Sequence, residues 1–215
     1  MQDLCYELHS LFNSLPRYNF NTIDDIPFSN GIYIFFEKNE FYKGFDRIVR
    51  VGTDTGQNNL KSRMKQHLVN ENKDRSIFRK NIGRAILNKN KNFELLSYWN
   101  LDLTKREDKD KYFNTELNTQ CKLLEKEISI YMQNNFSFVV FNVEKKEDRL
   151  RLESAIISIL NKCEDFIASD MWLGNFIPEI KGNHIKDCRM WLSQGLKATP
   201  LTNDEFLILK KICKE

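Results

Sequence analysis

Two short apolar segments that flank a charged turn constrain the fold of this chain more than any other feature. Residues 31–36 read Gly-Ile-Tyr-Ile-Phe-Phe, and residues 47–52 read Arg-Ile-Val-Arg-Val-Gly. Both segments are rich in the β-branched and aromatic side chains that favour strands. Because the turn over residues 37–46 is short and charged, the two strands are expected to pair antiparallel as a β-hairpin.

The remainder of the chain alternates helical and extended patterns. Apolar residues with the spacing of an amphipathic helix occur in six segments. These predicted helices cover residues 3–14, 59–69, 76–88, 120–134, 149–161 and 202–213. Apolar runs predict two more strands, at 93–99 and 136–143. The order predicts an α/β (α+β) fold, in which a small mixed or antiparallel sheet starts with a β-hairpin and is flanked by helices.

Length and composition favour a single domain over residues 1–215. A chain of 215 residues can form one sizeable core, and its four prolines and few glycines form no linker-like run. Within this domain we expect an N-terminal helical region (about 1–28), an insertion (about 100–118) that is charged and patternless, and a C-terminal extension (about 176–215).

Several classes of protein are disfavoured by what the sequence lacks. No apolar run approaches the length of a membrane span, and the N-terminus carries no apolar block typical of a signal peptide. The cysteines are odd in number and lack CxxC spacing, which disfavours a disulfide framework or a zinc site and fits a reducing cytoplasm. They are Cys5, Cys121, Cys163, Cys188 and Cys213.

Positive charge is concentrated in one part of the chain. Residues 47–91 contain twelve Lys or Arg residues and three acidic residues, whereas the whole chain has a net charge of only +3. A local excess of this kind suits a surface that faces phosphates, so nucleic acid is the expected partner. Solvated lysines on helix faces would give a weaker version of the same pattern.

Arg63 and His67 are four residues apart on a predicted helix, so they share one face of it. Each precedes a residue of the apolar stripe, which places both at its border. An arginine there can donate a fork of hydrogen bonds to a phosphate, and a histidine can give or take a proton. Taken alone, the pair also fits an ordinary exposed Arg and His.

Glu153 and Tyr33 are the other candidates for chemistry. Glu153 lies on an otherwise apolar helix, where a carboxylate is either paired or functional. Its ordinary partner would be Arg149, four residues earlier. Tyr33 alternates with Ile32 and Ile34, so its side chain leaves the strand on the opposite face; packing in the core is the alternative to a role in catalysis.

The order and spacing of these pieces resemble the GIY-YIG nuclease domain. The residues that carry the resemblance are Gly31-Ile32-Tyr33, Arg50-Val51-Gly52, Arg63, His67 and Glu153. Residues 75–83 and 136–141, together with Trp172-Leu173-Gly174-Asn175, are similar to those of restriction-enzyme-type members. A hydrolase triad, a P-loop, GxGxxG and HExxH are absent from the sequence.

The resemblance implies a metal-dependent endonuclease that cleaves double-stranded DNA, with a role in restriction or defence. It implies that Arg63 neutralises the scissile phosphate, that Glu153 holds one Mg²⁺ (or Mn²⁺) ion, and that Tyr33 and His67 orient or deprotonate the attacking water. Cutting both strands implies a homodimer or two successive nicks. The residues expected to contact phosphate or DNA are Arg50, Lys61, Lys65, Arg75, Arg79 and Asn175.

One position departs from the family pattern. Arg50 replaces the tyrosine of the second motif, and a guanidinium does not give up its proton at neutral pH. Either Tyr33 or His67 is then the base, or the protein is a catalytically impaired nucleic-acid-binding protein on the same scaffold. Arg50 could bind a phosphate or act on the pKa of Tyr33.

Overall fold

The computed structural model describes residues 2–54, 56–103, 107 and 115–214. It begins with a helix and a β-hairpin, continues with helices and a third strand, and ends with further helices. Two short 3-10 helices lie at Phe20–Asp25 and Leu173–Phe176. The other elements are α1 (Gln2–Asn13), β1 (Gly31–Tyr42), β2 (Phe45–Thr53), α2 (Leu60–Leu68), α3 (Ile77–Lys89), α4 (Phe93–Trp99), α5 (Glu116–Asn135), β3 (Phe136–Asn142), α6 (Lys146–Asn161), α7 (Ile185–Cys188) and α8 (Asn203–Ile212).

The three strands form one antiparallel sheet with the order β2-β1-β3. In the hairpin Tyr33 is opposite Gly52 and Phe35 is opposite Arg50, and on the other side of β1 Tyr33 is opposite Val140. The predicted fold class, a small sheet that starts with a β-hairpin and is flanked by helices, is therefore confirmed. In this sheet β2 is an edge strand, so one side of its backbone is open to other groups.

Side chains alternate across β1 and build two hydrophobic clusters, one on each face of the sheet. Tyr33 and Phe35 belong to the cluster that is covered by α2, α3, α4 and α5. Ile32 and Ile34 belong to the cluster that is covered by α1, α6 and α8. The alternation predicted for Tyr33 is thus the one observed, and its ring faces the basic helices.

Residues 93–99 form a helix, so the prediction of a strand there was wrong. The Asn92 side chain accepts a hydrogen bond from the Leu95 N–H at 3.2 Å, which caps α4. Leu95, Leu96 and Trp99 are then all buried. A short apolar run is compatible with either element, and here the polar cap decided the outcome.

Other boundaries also differ from those predicted. Strand β1 runs to Tyr42 and β2 begins at Phe45, so only residues 43–44 of the predicted turn over 37–46 lie between the strands. Helix α5 begins at Glu116 because Thr115 caps it, four residues before its predicted start. Helix α6 begins at Lys146 instead of residue 149, with Glu147 in the first turn, where a negative charge is favourable. Most of the predicted insertion, residues 104–106 and 108–114, lies outside the described residues.

None of the described helices has the length and apolar character needed to cross a membrane.

Candidate active site

The ring of Tyr33 lies directly over Gly52, the residue opposite it in the hairpin. A Cβ atom at position 52 would come within 2.3 Å of the Tyr33 hydroxyl and 2.4 Å of the ring. Only glycine leaves room for the ring there. The glycine of the second motif is therefore explained by the tyrosine of the first.

The Tyr33 hydroxyl contacts a histidine that is itself held by a serine. Tyr33 Oη lies 3.1 Å from Nε2 of His67, and Nδ1 of His67 lies 2.8 Å from Oγ of Ser76. Ser76 also accepts the Arg79 N–H at 3.3 Å as the N-cap of α3. The start of one helix thus orients a side chain of the preceding helix.

His67 is fully buried, and it is neutral at physiological pH. Burial holds its pKa well below the usual value, and the positive charges of Arg50, Arg63 and Arg79 act in the same direction. A proton on this imidazole is therefore strongly disfavoured. The sequence placed His67 at the border of the apolar stripe, where it could take a proton; in the structure it lies inside the core and fixes the Tyr33 hydroxyl.

Glu153 approaches the open edge of β2 from α6. It is half-buried, and the backbone of Thr53 hydrogen-bonds to its carboxylate. Burial raises the pKa of Glu153 to about 7, although the charges of Arg50 and Arg63 and the Thr53 bond oppose the rise. The carboxylate thus lies where hydration is limited and two cations are close.

The partner expected for Glu153 in an ordinary helical ion pair is occupied elsewhere. Arg149 donates to the carbonyls of Val143 and Gly56 at 3.1 and 2.9 Å. It also lies 3.9 Å from Asp54. Arg149 therefore ties α6 to the loop that follows β2, and the structure does not pair it with Glu153.

Arg63 lies at an open pocket of about 320 Å³ that is also lined by Thr53 and Asp54. It is half-buried, and its Nη1 donates to Oε1 of Gln66 at 3.0 Å and to the carbonyl of Arg75 at 3.1 Å. These contacts fix the side chain without removing it from solvent. Its charge acts on Glu153, which comes from the opposite face of the sheet.

Arg50 is inside the protein and only 6% exposed. Its Nη1 donates to the carbonyl of Trp191, and its guanidinium lies 4.9 Å from the centre of the Phe78 ring. Its Nε has no hydrogen-bond partner among the described residues. The expectation of a surface contact with phosphate is corrected: Arg50 is an internal cation next to Glu153 and His67.

Arg79 is a structural residue, and its predicted contact with DNA is corrected. It is fully buried, and its Nε and Nη2 donate to Oε2 of Glu125 at 2.9 and 2.7 Å. It also donates to Ser129 Oγ at 2.9 Å and to the His67 carbonyl at 3.1 Å. The sequence placed Arg79 in a basic helix but did not show which face of that helix it occupies.

The remaining predicted DNA contacts lie near the surface. Lys61 and Lys65 both reach Asp24, through its carbonyl at 2.8 Å and its carboxylate at 2.7 Å. Arg75 is exposed, at the end of the loop that leads into α3. Asn175 is exposed, but its amide closes a local turn at the carbonyl of Ser169 (2.9 Å).

Sequence analysis missed three residues that shape this region. Ser76 could have been identified as a helix cap, because it precedes the apolar period of α3. Thr53 contributes through its backbone, and Trp191 contributes through its carbonyl. The residue types at these two positions therefore give no sequence signal for the role. No local pattern could have brought Trp191 to β2, since about 140 residues separate them in the chain.

The donor set around Glu153 suits a metal ion that keeps most of its water. Among the described residues, no three His, Cys, Asp or Glu side chains converge as a metal cage would require. Magnesium is commonly held by one or two carboxylates, with water and substrate oxygens in the other positions. Glu153 is a carboxylate whose pKa is raised to about 7 mainly by burial, so a divalent cation that favours its ionised form fits it.

Comparison with known proteins agrees with this arrangement. A family model described as "GIY-YIG domain" matches residues 14–209, nearly the whole chain. No curated protein and no solved structure matches it. The matched range includes the hairpin, α2 with Arg63, and α6 with Glu153. The chain belongs to the GIY-YIG domain family, a family of nuclease domains.

Proposed function

We propose that this protein is a metal-dependent endonuclease that hydrolyses phosphodiester bonds of double-stranded DNA. The proposal is supported by the open pocket that Arg63 and Thr53 line, and by the charges of Arg50 and Arg63, which act on the Glu153 carboxylate of α6. These groups come from three separate elements. A carboxylate for a cation, next to a guanidinium for a phosphate, is what phosphoryl transfer requires.

Arg63 is the residue that binds the scissile phosphate. It lies at an open pocket, and Gln66 and the Arg75 carbonyl fix its Nη1. The other nitrogens of its planar fork are the donors that we expect to reach phosphate oxygens. Their charge opposes the negative charge that builds up on the phosphate in the transition state, which lowers the barrier.

Tyr33 is the residue that orients the attacking water. Its side chain is only 1% exposed and its hydroxyl lies 3.1 Å from Nε2 of His67, so the water would have to reach the oxygen on the side that His67 leaves free. Because His67 is buried and its pKa is held well below the usual value, it does not store the proton. Of the two bases that the sequence left open, the proposal therefore favours Tyr33.

Glu153 is the residue that would hold Mg²⁺ or Mn²⁺. When bound, such an ion supplies Lewis-acid stabilisation of the phosphate oxygens and lowers the pKa of coordinated water. Glu153 must be ionised to bind it, and the charges of Arg50 and Arg63 favour that form.

The proposal also covers the surface that contacts DNA and the biological role of the protein. Exposed Arg75, with Lys61 and Lys65, would contact the DNA backbone beside Arg63. A role in restriction or defence rests on the resemblance alone. A homodimer remains one way to cut both strands, and a cytoplasmic location rests on cysteine usage.

The test is nicking of supercoiled plasmid with Mg²⁺ or Mn²⁺ by the wild type and by Glu153→Ala and Arg63→Ala. We expect both substitutions to abolish metal-dependent nicking while binding of duplex DNA is largely retained. Glu147→Ala is the matched control, because Glu147 is an exposed carboxylate on the same helix. If Glu153→Ala nicked as fast as Glu147→Ala, the role given to this carboxylate would be wrong.

A second candidate function is DNA binding without cleavage. The burial of Arg50, where the family pattern has a tyrosine, favours it, because Arg50 contributes no base and is held by Trp191. This candidate predicts salt-sensitive DNA binding with no nicking at any tested concentration of either metal. The plasmid experiment separates the two functions directly.

A further inference from the structure

Helix α2, which carries Arg63, begins without a side-chain cap of its own. The side chain of its N-cap residue, Asn59, makes no capping hydrogen bond. The first hydrogen bond of the helix runs from the Arg63 N–H to the Asn59 carbonyl, at 2.8 Å. A helix start without a cap frays, because its first N–H groups have no acceptor within the helix. Since Arg63 lies close to this start, its position depends on groups outside α2.

The segment immediately before β1 supplies those groups. The Ser29 carbonyl accepts the Leu60 N–H at 3.1 Å. Oδ1 of Asn30 accepts the Asn58 N–H at 2.8 Å, and Nδ2 of Asn30 donates to Oδ1 of Asn58 at 3.3 Å. Asn58 has a φ of +59°, a left-handed conformation that residues other than glycine adopt rarely. The start of α2 is therefore attached to the start of β1 by three hydrogen bonds, two of which belong to Asn30.

Asn30 is held in place by a second contact, on the side of α6. It is only 3% exposed, and its Nδ2 also donates to Oε2 of Glu144 at 2.9 Å. Arg149 of α6 donates to the Glu144 carbonyl at 2.7 Å and to the Gly56 carbonyl at 2.9 Å. Buried polar groups whose hydrogen bonds are all made stiffen the structure around them. The anchor of α2 thus continues from Asn30 through Glu144 to α6.

We propose that Asn30 is a positioning residue for Arg63: its side chain fixes the start of α2, and the helix then places Arg63 against the scissile phosphate. The bonds of Arg63 to Gln66 and to the Arg75 carbonyl orient its side chain but do not hold the start of the helix. A misplacement of about 1 Å in a catalytic group can cost about 10²-fold in rate. The catalytic part of this inference rests on the proposed function, whereas the anchoring of α2 does not.

The central comparison is Asn30→Ala against Asn13→Ala. Asn13 makes bonds of the same kind at the opposite end of β2, where it donates to the Asp46 carbonyl and accepts the Asp46 N–H, both at 3.1 Å. The two substitutions remove comparable bonds, but only Asn30 is bonded to the start of α2. The first measurement is amide hydrogen exchange of Asn58 and Arg63 by NMR, without metal or DNA. The second is single-turnover nicking of plasmid, together with the Kd for duplex DNA.

We expect Asn30→Ala to speed exchange of both amides by about tenfold, because the start of α2 then opens locally as an uncapped helix does. Nicking should slow by about tenfold or more, since Arg63 no longer meets the phosphate in one fixed position. The Kd for duplex DNA should stay within about twofold, because Arg63 acts on charge that develops in the transition state. Asn13→Ala should match the wild type in all three quantities.

An exchange of donor and acceptor between Asn30 and Glu144 provides a rescue. Asn30→Asp keeps an acceptor for the Asn58 N–H but places a second carboxylate against Glu144, so it should slow nicking as Asn30→Ala does. Adding Glu144→Gln supplies an amide that donates to the new carboxylate, and it should restore both the exchange rates and nicking. If Asn30→Ala does not fold, these two variants still decide the matter.

Equal exchange rates of the Arg63 amide in Asn30→Ala and Asn13→Ala overturn the inference. So does a loss of nicking that Asn13→Ala shares, because such a loss follows from general destabilisation. If Asn30→Ala nicks as fast as the wild type, the positioning role is rejected and the nuclease function stands. If the wild type never nicks DNA, faster exchange of the Arg63 amide confined to Asn30→Ala still supports the anchoring of α2, and only the proposed nuclease function fails.

Discussion

Glu125 and Glu153 both lie on helices and both face arginines, but their surroundings differ. Glu125 is buried: its Oε2 accepts two N–H groups of Arg79 at 2.9 and 2.7 Å, and its Oε1 accepts the Lys73 N–H at 2.5 Å. Glu153 receives a backbone bond from Thr53 and faces Arg50 and Arg63 without a bidentate pair. The hydrogen-bonding capacity of the Glu125 carboxylate is largely used by these groups, whereas that of Glu153 is not.

The difference separates a residue that holds the fold from one available for chemistry. Burial raises the pKa of both carboxylates, but Arg79 opposes the rise at Glu125 by charge and by hydrogen bonds. At Glu153 the charges of Arg50 and Arg63 do not offset burial, and the pKa remains at about 7. Strongly perturbed groups in clefts are candidates for function, whereas closed ion pairs are usually structural.

The largest effect is expected from breaking the closed pair. Arg79→Ala should reduce the free energy of unfolding by about 3–5 kcal/mol, because it leaves Glu125 buried without its partner. Urea denaturation measures this directly. Lys210→Ala, which removes an exposed pair with Glu7, should cost less than about 1 kcal/mol. Equal losses for the two variants would show that the Arg79 pair does not hold the fold.

Arg63→Ala should give the opposite result, with chemistry lost and stability kept. Losing a group that stabilises transition-state charge typically costs about 10²–10³ in rate, and we expect that loss in single-turnover nicking. Because Arg63 is half-buried at a pocket, the midpoint of urea unfolding should barely move. A variant that unfolds easily but nicks normally would reverse the comparison.

The pH dependence of cleavage should follow the ionisation of Glu153. With a pKa of about 7, each pH unit below that value should reduce the metal-dependent rate by about tenfold, because only the ionised carboxylate binds the cation. Nicking rates between pH 5.5 and 8.5, at a metal concentration well below saturation, test this. A rate that stays flat down to pH 5.5 would exclude Glu153 as the titrating group.

Stability should respond to the same group with a defined sign. The folded pKa of Glu153 is raised above the unfolded value, so its stabilising contribution is complete below pH 4.5 and is lost as pH rises to about 7. Buried His9, whose pKa is lowered to about 4, acts oppositely in part of this range. The difference in unfolding free energy between wild type and Glu153→Gln isolates the carboxylate, and it should favour the wild type most at low pH.

The smallest effect concerns the exposed basic residues. Arg75→Ala should weaken duplex binding a few-fold and reduce the slope of log K against log salt by about 1, because one phosphate contact is lost. Lys211→Ala, an exposed charge on α8, is the control and should change neither quantity. Fluorescence anisotropy over a salt series measures both. Identical slopes for the two variants would place the DNA elsewhere.

The sequence predicted what depends on local pattern. The hairpin, the stripe of α2 and the apolar face of α6 follow from residue spacing, and the opposite facing of Tyr33 and Ile32 follows from strand alternation. Residues 93–99 were assigned wrongly, because the same apolar run satisfies both a strand and a short helix. The cap at Asn92 was the signal that could have decided it.

The sequence could not predict which basic side chains are buried. Arg75 and Arg79 occupy the same basic segment, yet one is exposed and the other fully buried against Glu125. That outcome depends on α5, some 46 residues further along the chain. The burial of Arg50 likewise depends on Trp191, which lies 141 residues further along the chain.

The most direct test of the account is the single-turnover nicking rate of Glu153→Gln at pH 8 with saturating Mg²⁺ or Mn²⁺, compared with Glu147→Gln. The account predicts that Glu153→Gln loses at least about 10²-fold while Glu147→Gln matches the wild type. Equal rates for the two variants, both folded and both binding DNA, would contradict the claim that the Glu153 carboxylate takes part in catalysis.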